Sequence, residues 1–156
     1  MSDPLANGAR APEFSLANQD GQTVTLQSLL GKGPVVVYFY PKDETAGCTA
    51  EACAFRDSYD VFQQAGASVV GVSDDSVESH RGFASHHGLP FLLLSDTGGT
   101  LRNAFGVPRA LFGMVPGRMT FVLDNDGVVR HSFNSSISFK KHVTEAVEVV
   151  KKLAQG

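Results

Sequence analysis

The sequence predicts an α/β fold: a mixed central sheet flanked by helices, with a β-hairpin near the N-terminus. Three patterns carry that reading. Uniformly apolar runs at 34–40 and 68–73 alternate with segments whose apolar residues recur at helical spacing, as in chains that lay helices on both faces of a sheet. Asn18-Gln19-Asp20-Gly21 separates two short strand-like runs near the start. Asp124-Asn125-Asp126-Gly127 does the same between 119–123 and 128–132, and a last helical segment follows.

Taken in order, 14–16 and 23–26 form the first hairpin. The run 34–40 is β-branched and aromatic without alternation, which suits a central strand covered on both faces. From 49 to about 65, Ala52, Phe55, Tyr59 and Phe62 fall on one helical face, and Gly66 stops the helix. A buried strand at 68–73 follows. The stretch 76–87 reads as a helix with Ser76 as N-cap over Ser79 and Gly88 as terminator. Then come a strand at 91–94, a short helix at 99–105 and the second hairpin. The final helix runs over 140–153 with Val143, Ala146, Val147 and Val150 on one face. There is no internal repeat, low-complexity tract or linker, so residues 1–156 read as one domain, with 1–11 as a loose lead-in.

Composition narrows the function classes. With 42% hydrophobic and 19% charged residues the chain is ordinary globular material rather than disordered. A net charge of −3 gives no electrostatic footprint for nucleic acid or an anionic membrane. The apolar run 34–40 is far short of the ~20 residues a membrane span needs. The N-terminus shows neither the basic and apolar regions of a signal peptide nor the Arg- and Ser-rich character of a transit peptide. A mature form stripped of a targeting piece would read the same. Two cysteines do not make a disulfide scaffold, which favours a reducing compartment.

Those two cysteines, Cys48 and Cys53, follow the strand 34–40 across a short loop bearing Pro41 and Gly47. A thiol at the mouth of a helix faces free backbone N–H groups and the positive end of the helix dipole, both of which favour the reactive thiolate. Cys48 continues the face of Ala52, Phe55 and Tyr59, so it points into the domain. Cys53 stands five residues on, about 140° round the helix, with its Cα ~8.6 Å from that of Cys48. A disulfide spans roughly 7 Å or less. Either the two never pair, or pairing requires the first turns of the helix to unwind.

The pattern Pro41-x-x-x-Thr45-x-x-Cys48 resembles the active-site motif of the peroxiredoxins, and Cys48-x-x-x-x-Cys53 is similar to the atypical two-cysteine group called peroxiredoxin Q or bacterioferritin comigratory protein. The resemblance covers nearly the whole chain, through Ala11-Pro12-Glu13-Phe14, Val37-Tyr38-Phe39-Tyr40-Pro41 and Leu93-Leu94-Ser95-Asp96 to Gly117-Arg118-Met119-Thr120, which looks like the strand that brings the family's arginine. The insertion 111–116 is most like plant and algal members. Ala46 stands where most relatives carry a second proline, which leaves the loop less rigid.

The resemblance implies a thioredoxin-like fold and a thiol peroxidase. Cys48 would be the peroxidatic thiolate, oxidised to a sulfenic acid. Thr45 would offer its hydroxyl to the thiolate and the peroxide, Arg118 would stabilise the developing charge, and Pro41 would cover the pocket. Cys53 would condense with the sulfenic acid to give a disulfide reduced by thioredoxin or glutaredoxin. The resemblance implies no metal, no organic cofactor, no nucleic acid and no membrane partner. It implies a monomer, in the plastid of a plant or alga or in the cytoplasm of a bacterium.

Other readings remain. A thioredoxin-type oxidoreductase shares the helix-start cysteine but uses a Cys-x-x-Cys spacing. A copper carrier could use two thiols and a distant histidine, leaving Thr45 and Arg118 idle. A redox sensor would use the same Cys48 chemistry. By default Cys48 is a small buried hydrophobe, Arg118 a surface strand residue and Arg56 a solvated helix residue. Glu51 reads as a first-turn carboxylate favoured by the dipole, with a link to the active-site loop as the alternative. His86-His87 suggests a metal, but adjacent histidines on a helix are expected to point apart.

Overall fold

The computed structural model describes residues 4–110, 115–135 and 138–155. Residues 111–114 of the plant-like insertion lie outside them. In chain order the elements are β1 (Ser15–Asn18), β2 (Thr23–Thr25), α1 (Leu26–Leu29), β3 (Val35–Phe39), α2 (Ala46–Asp57), α3 (Tyr59–Gln64), β4 (Ser68–Ser73), α4 (Val77–His87), β5 (Leu92–Ser95), α5 (Thr100–Phe105), β6 (Arg109–Ala110), β7 (Val115–Pro116), β8 (Met119–Leu123), β9 (Val129–Asn134) and α6 (Phe139–Gln155). Seven strands form one sheet in the order β2-β1-β5-β4-β3-β8-β9, with β6 and β7 as a separate ribbon. Its centre is parallel, β3 to β4 to β5, and both flanks are antiparallel, which makes the sheet mixed as expected.

The unalternating run becomes the middle strand because both its faces are covered. Val35, Val37 and Phe39 enter one core with Leu26, Leu101 and Phe105 from α1 and α5. Val36, Tyr38 and Tyr40 enter the other with Cys48, Phe55, Phe62, Phe83 and Val143 from α2, α3, α4 and α6. The second core is aromatic: Tyr38 stacks on Phe55 at 4.4 Å between centroids. Gly71 on the neighbouring strand makes room for it, since a Cβ there would sit 2.8 Å from Tyr38 Cζ.

Both hairpins form at the Asn/Asp/Gly turns. Ser76 caps α4 by accepting from Ser79 N–H at 3.1 Å, and Gly88 ends it in the left-handed region. Three features depart from the expectations. The four-residue α1, held by a Thr25/Ser28 capping box, is too short to leave a periodic signal. The helix expected to begin near 49 begins at Ala46, with Thr45 as N-cap. It also breaks at Ser58, which leaves helical geometry (φ −103°, ψ 8°) and serves as C-cap of α2 and N-cap of α3. The apolar face continues through the break, so periodicity alone reads one helix.

The described part of the N-terminal lead-in is not loose. Leu5 N–H donates to Phe105 O, Gly8 N–H to Val129 O and Ala11 N–H to Gly127 O, at 2.7–3.0 Å.

The loop from β3 to α2 is anchored to α4 by a buried polar cluster. Asp43, 5% exposed, accepts from Tyr40 Oη (2.6 Å) and Ser79 Oγ (2.8 Å), and its Oδ2 lies 2.7 Å from Nδ1 of fully buried His80. His80 Nε2 sits 2.9 Å from Leu94 O, a carbonyl that can only accept, so Nε2 carries a proton. Replacing His80 by leucine takes the imidazole partner from the buried Asp43 side chain and leaves it only the Tyr40 and Ser79 hydroxyls. His80→Leu should lose about 3 kcal/mol, in line with breaking a buried pair, and melt roughly 6–12 °C lower for a chain of this size. An unchanged thermal midpoint would mean that the cluster does not hold the loop.

Candidate active site

Three elements meet at one thiol. β3 runs out at Tyr40 and half-buried Pro41, the loop turns under Asp43, and α2 starts with Ala46, Gly47 and Cys48 as its first three residues. The first i→i−4 bond of the helix runs from Thr49 N–H to Thr45 O (2.8 Å), so Cys48 lies in the turn whose N–H groups have no intrahelical acceptor. Its side chain is buried, 1% exposed, under the aromatic core.

Arg118, the residue before β8, reaches across to α2 with both arms. Nη2 lies 3.4 Å from Cys48 Sγ, and Nη1 donates to Glu51 Oε1 at 2.6 Å. Phe139, opening α6, covers the guanidinium at 4.7 Å from the ring centroid. Gly47 permits this approach: a Cβ there would meet Phe139 Cζ at 2.7 Å and Arg118 Nη2 at 3.1 Å. Burial works against the charge on Arg118, but Glu51 and Cys48 beside it outweigh burial and hold the guanidinium above its usual range.

Glu51 follows the alternative reading and is linked to the active site through Arg118. It is fully buried, and because α2 begins at Ala46 it stands sixth in the helix, beyond the first turn. It lies three residues after Cys48, a spacing that puts the two on one helix face and was the available signal. Burial pushes its carboxyl up to about 7 against the pull of Arg118. Oε2 is buried without a hydrogen-bond partner among the described residues and lies 3.6 Å from His142 Nδ1. His142, on α6, is pinned by Ser135 O (2.8 Å from Nε2) and Thr120 Oγ1 (2.7 Å from Nδ1). Burial lowers it to about 4, so the ring is neutral, with Nε2–H donating to Ser135 and Nδ1 accepting from the Thr120 hydroxyl.

The remaining expected residues sit around this core. Thr45 is exposed, and its hydroxyl donates to Lys42 O at 2.8 Å rather than capping the helix. Ala46 occupies the first helical position, where a proline would fit without losing a hydrogen bond. Cys53 is half-buried and, like Cys48, a free thiol within α2. Arg102, absent from the sequence reading, ties the site's two strand ends together: Nη2 donates to Tyr40 O (2.8 Å) and Nη1 to Gly117 O (2.7 Å). Arg56, expected to be solvated, donates to His87 O at 2.6 Å and links α2 to α4.

Two groups of possible metal ligands occur among the described residues, both beside the loop. Asp43, Asp75 and His80 belong to the buried anchor. The second group corrects an expectation: the rings of His86 and His87 do not diverge but lie 4.2 Å apart and share the Glu44 carboxylate.

A buried thiol with a cation and a helix terminus aimed at its sulfur is set up to react as an anion with a neutral electrophile that then takes on charge. The comparisons with known proteins agree. A model of the AhpC/TSA family matches residues 7–132. The chain is 50% identical over 149 residues to the chloroplastic peroxiredoxin Q of Triticum aestivum, covering 96% of this chain and 68% of that protein. Among solved structures it resembles peroxidoxin BcpB of Mycobacterium tuberculosis (TM-score 0.87, 39% identity, 94% and 97% of the two chains). It also resembles the bacterioferritin comigratory protein of Xanthomonas campestris (TM-score 0.82, 34% identity, 90% and 92%), a structure concerned with alkyl peroxide reduction. The sheet and its helices are thus the thioredoxin-like arrangement of these proteins, and the chain belongs to the AhpC/TSA family, in its peroxiredoxin Q group, and so to the thiol-dependent peroxidases.

Proposed function

We propose that Cys48 is the peroxidatic residue, acting on hydrogen peroxide and organic hydroperoxides. The observation that carries this is the Arg118 Nη2 contact, 3.4 Å from a thiol in the first turn of α2. The Cys48 thiolate attacks one peroxide oxygen and the O–O bond breaks. The leaving oxygen takes the electron pair and a proton and departs as water or alcohol, leaving a sulfenic acid on Cys48. Arg118 faces the charge growing on the leaving oxygen. Thr45 turns its hydroxyl from Lys42 to the peroxide, and Pro41 keeps water from the sulfur. A shallow depression of about 410 Å³ beside the helix start, lined by Ala50, Phe139 and the stems of Lys140 and Lys141, suits the alkyl group of an organic hydroperoxide.

Cys53 is the resolving residue. Its thiol displaces the sulfenic hydroxyl as water and forms a disulfide, which thioredoxin or glutaredoxin reduces by exchange. Both cysteines lie within α2, so their Cα atoms stand ~8.6 Å apart, beyond the ~7 Å limit of a disulfide, and the first turns must unwind. The chain works as a monomer without metal or organic cofactor in this cycle. In a plant or alga it works in the plastid, as the relatives named chloroplastic do, and in a bacterium in the cytoplasm.

Cys48→Ser should abolish turnover, whereas Cys53→Ser should reduce about one peroxide per chain and then stall with a sulfenic acid that dimedone traps. One equivalent of peroxide should give an intramolecular disulfide, with loss of amide hydrogen-exchange protection over 48–55. Wild-type turnover by Cys53→Ser with thioredoxin, or disulfide-linked dimers on non-reducing gels, would refute the resolving role.

Arg118→Ala should slow the reaction with peroxide by 10²-fold or more, the scale of losing one preorganised donor. Arg118→Lys should recover only part, since lysine lacks the planar fork that spans Glu51 and Cys48. An unchanged rate constant for Arg118→Ala removes it from the site.

Glu51 and His142 should leave opposite marks on stability. Glu51, raised to about 7 from 4.5, contributes stability present below 4.5 and lost as pH rises through about 7. His142, lowered to about 4 from 6.5, contributes stability present above 6.5 and lost as pH falls through about 4. Glu51→Gln removes the first contribution alone. In urea titrations its stability should therefore climb more steeply than wild type between those pH values; parallel profiles would mean that Glu51 ionises normally.

A further inference from the structure

Glu44 lies in the loop two residues before α2 and four before Cys48, yet its side chain reaches the far end of α4. There Oε2 is 3.1 Å from His86 Nδ1, and Oε1 is 2.9 Å from His87 Nε2. The three ligand atoms converge within 4.8 Å, although adjacent helical residues ordinarily diverge by about 100°. A tetrahedral zinc ion binds imidazole nitrogen at about 2.0–2.1 Å and carboxylate oxygen at about 2.0–2.2 Å, which separates neighbouring ligand atoms by roughly 3.3 Å. The two carboxylate–imidazole contacts are a few tenths of an ångström tighter than that and the two imidazole nitrogens lie within 4.8 Å of each other, so side-chain rotation suffices to admit an ion. His87, 17% exposed and edge-on to Phe83 at 5.2 Å, is the fixed ligand. His86 and Glu44, 67% and 45% exposed, leave the fourth position to water. Two imidazoles and one carboxylate suit a borderline cation rather than Ca²⁺ or Mg²⁺, which prefer all-oxygen sites.

We propose that Glu44, His86 and His87 bind Zn²⁺, and that the bound ion ties the Cys48 loop to α4 and slows formation of the Cys48–Cys53 disulfide. The second half rests on the resolving role given to Cys53 above. Unwinding the start of α2 draws the loop away from α4, and Asp43 and Glu44 are its two anchors there. An ion held only while Glu44 stays docked stabilises the closed form by mass action. The open population then falls by a factor of 1 + [Zn²⁺]/Kd, about tenfold at ten times Kd. In the chemical step the sulfenic acid and the Cys53 thiol still yield a disulfide and water. The ion changes how often they meet.

The test has two arms. Thiols bind zinc themselves, so the first uses the untagged Cys48→Ser/Cys53→Ser chain, titrated calorimetrically with ZnCl₂. One ion should bind per chain, and His86→Ala or Glu44→Gln in that background should weaken binding tenfold or more. No binding, or binding indifferent to both substitutions, overturns the site. The second arm gives the reduced, cysteine-containing chain one equivalent of peroxide and follows the disulfide by rapid alkylation and mass spectrometry. Zinc should slow the wild-type chain about tenfold more than His86→Ala; equal slowing overturns the coupling. If no intramolecular disulfide forms even without zinc, the resolving role of Cys53 fails instead, and the first arm still decides the site.

Discussion

A buried guanidinium must have partners, and Arg118 finds two on one helix face, the Glu51 carboxyl and the Cys48 sulfur. The arrangement holds only if β8, α2 and α6 meet at fixed spacing. The arginine immediately precedes β8, α2 carries Glu51 and Cys48 a turn apart, and α6 lays Phe139 over the cation. Moving any of the three would leave a charge desolvated and unpaired, at several kcal/mol. The central strand, buried on both faces, and the Arg102 bridge between the carbonyls of Tyr40 and Gly117 set that spacing. The sheet therefore works as a jig for one cation.

Sharing makes the site adjustable. Glu51 and the thiol compete for the same guanidinium, and the carboxyl's position near 7 puts the competition within reach of ordinary pH. When Glu51 takes a proton, the open acceptor is Oε2, since Arg118 occupies Oε1. His142, neutral and locked between Thr120 and Ser135, adds no second cation to that balance.

Much of this is legible in the sequence. The runs of unalternating apolar residues gave the middle of the sheet, and Asp-Asn-Asp-Gly gave the second hairpin, because both patterns are local consequences of burial and turn geometry. The meeting of Cys48 and Arg118 was legible through the motif. The burial of Glu51 was not: a carboxylate in a first turn satisfies the helix dipole by itself, and only the tertiary approach of β8 shows that it is buried. Arg102 and the Glu44–His86–His87 cluster escaped for the same reason, as their partners lie 15 to 62 residues away. The break at Ser58 escaped for another, since a one-residue departure leaves the apolar face unbroken.

That break has a mechanical meaning. Val61 N–H and Phe62 N–H both return to Ser58 O, so α3 has its own starting turn and does not borrow hydrogen bonds from α2. Melting of a helix propagates through shared i→i−4 bonds and is cooperative over the length of one unit. Ser58 limits that unit to twelve residues and acts as a firebreak. Fraying that starts at Cys48 can consume α2, while Phe62 stays seated in the aromatic core. If α2 frays from Cys48, α3 remains as a folded stub against which the helix can rewind.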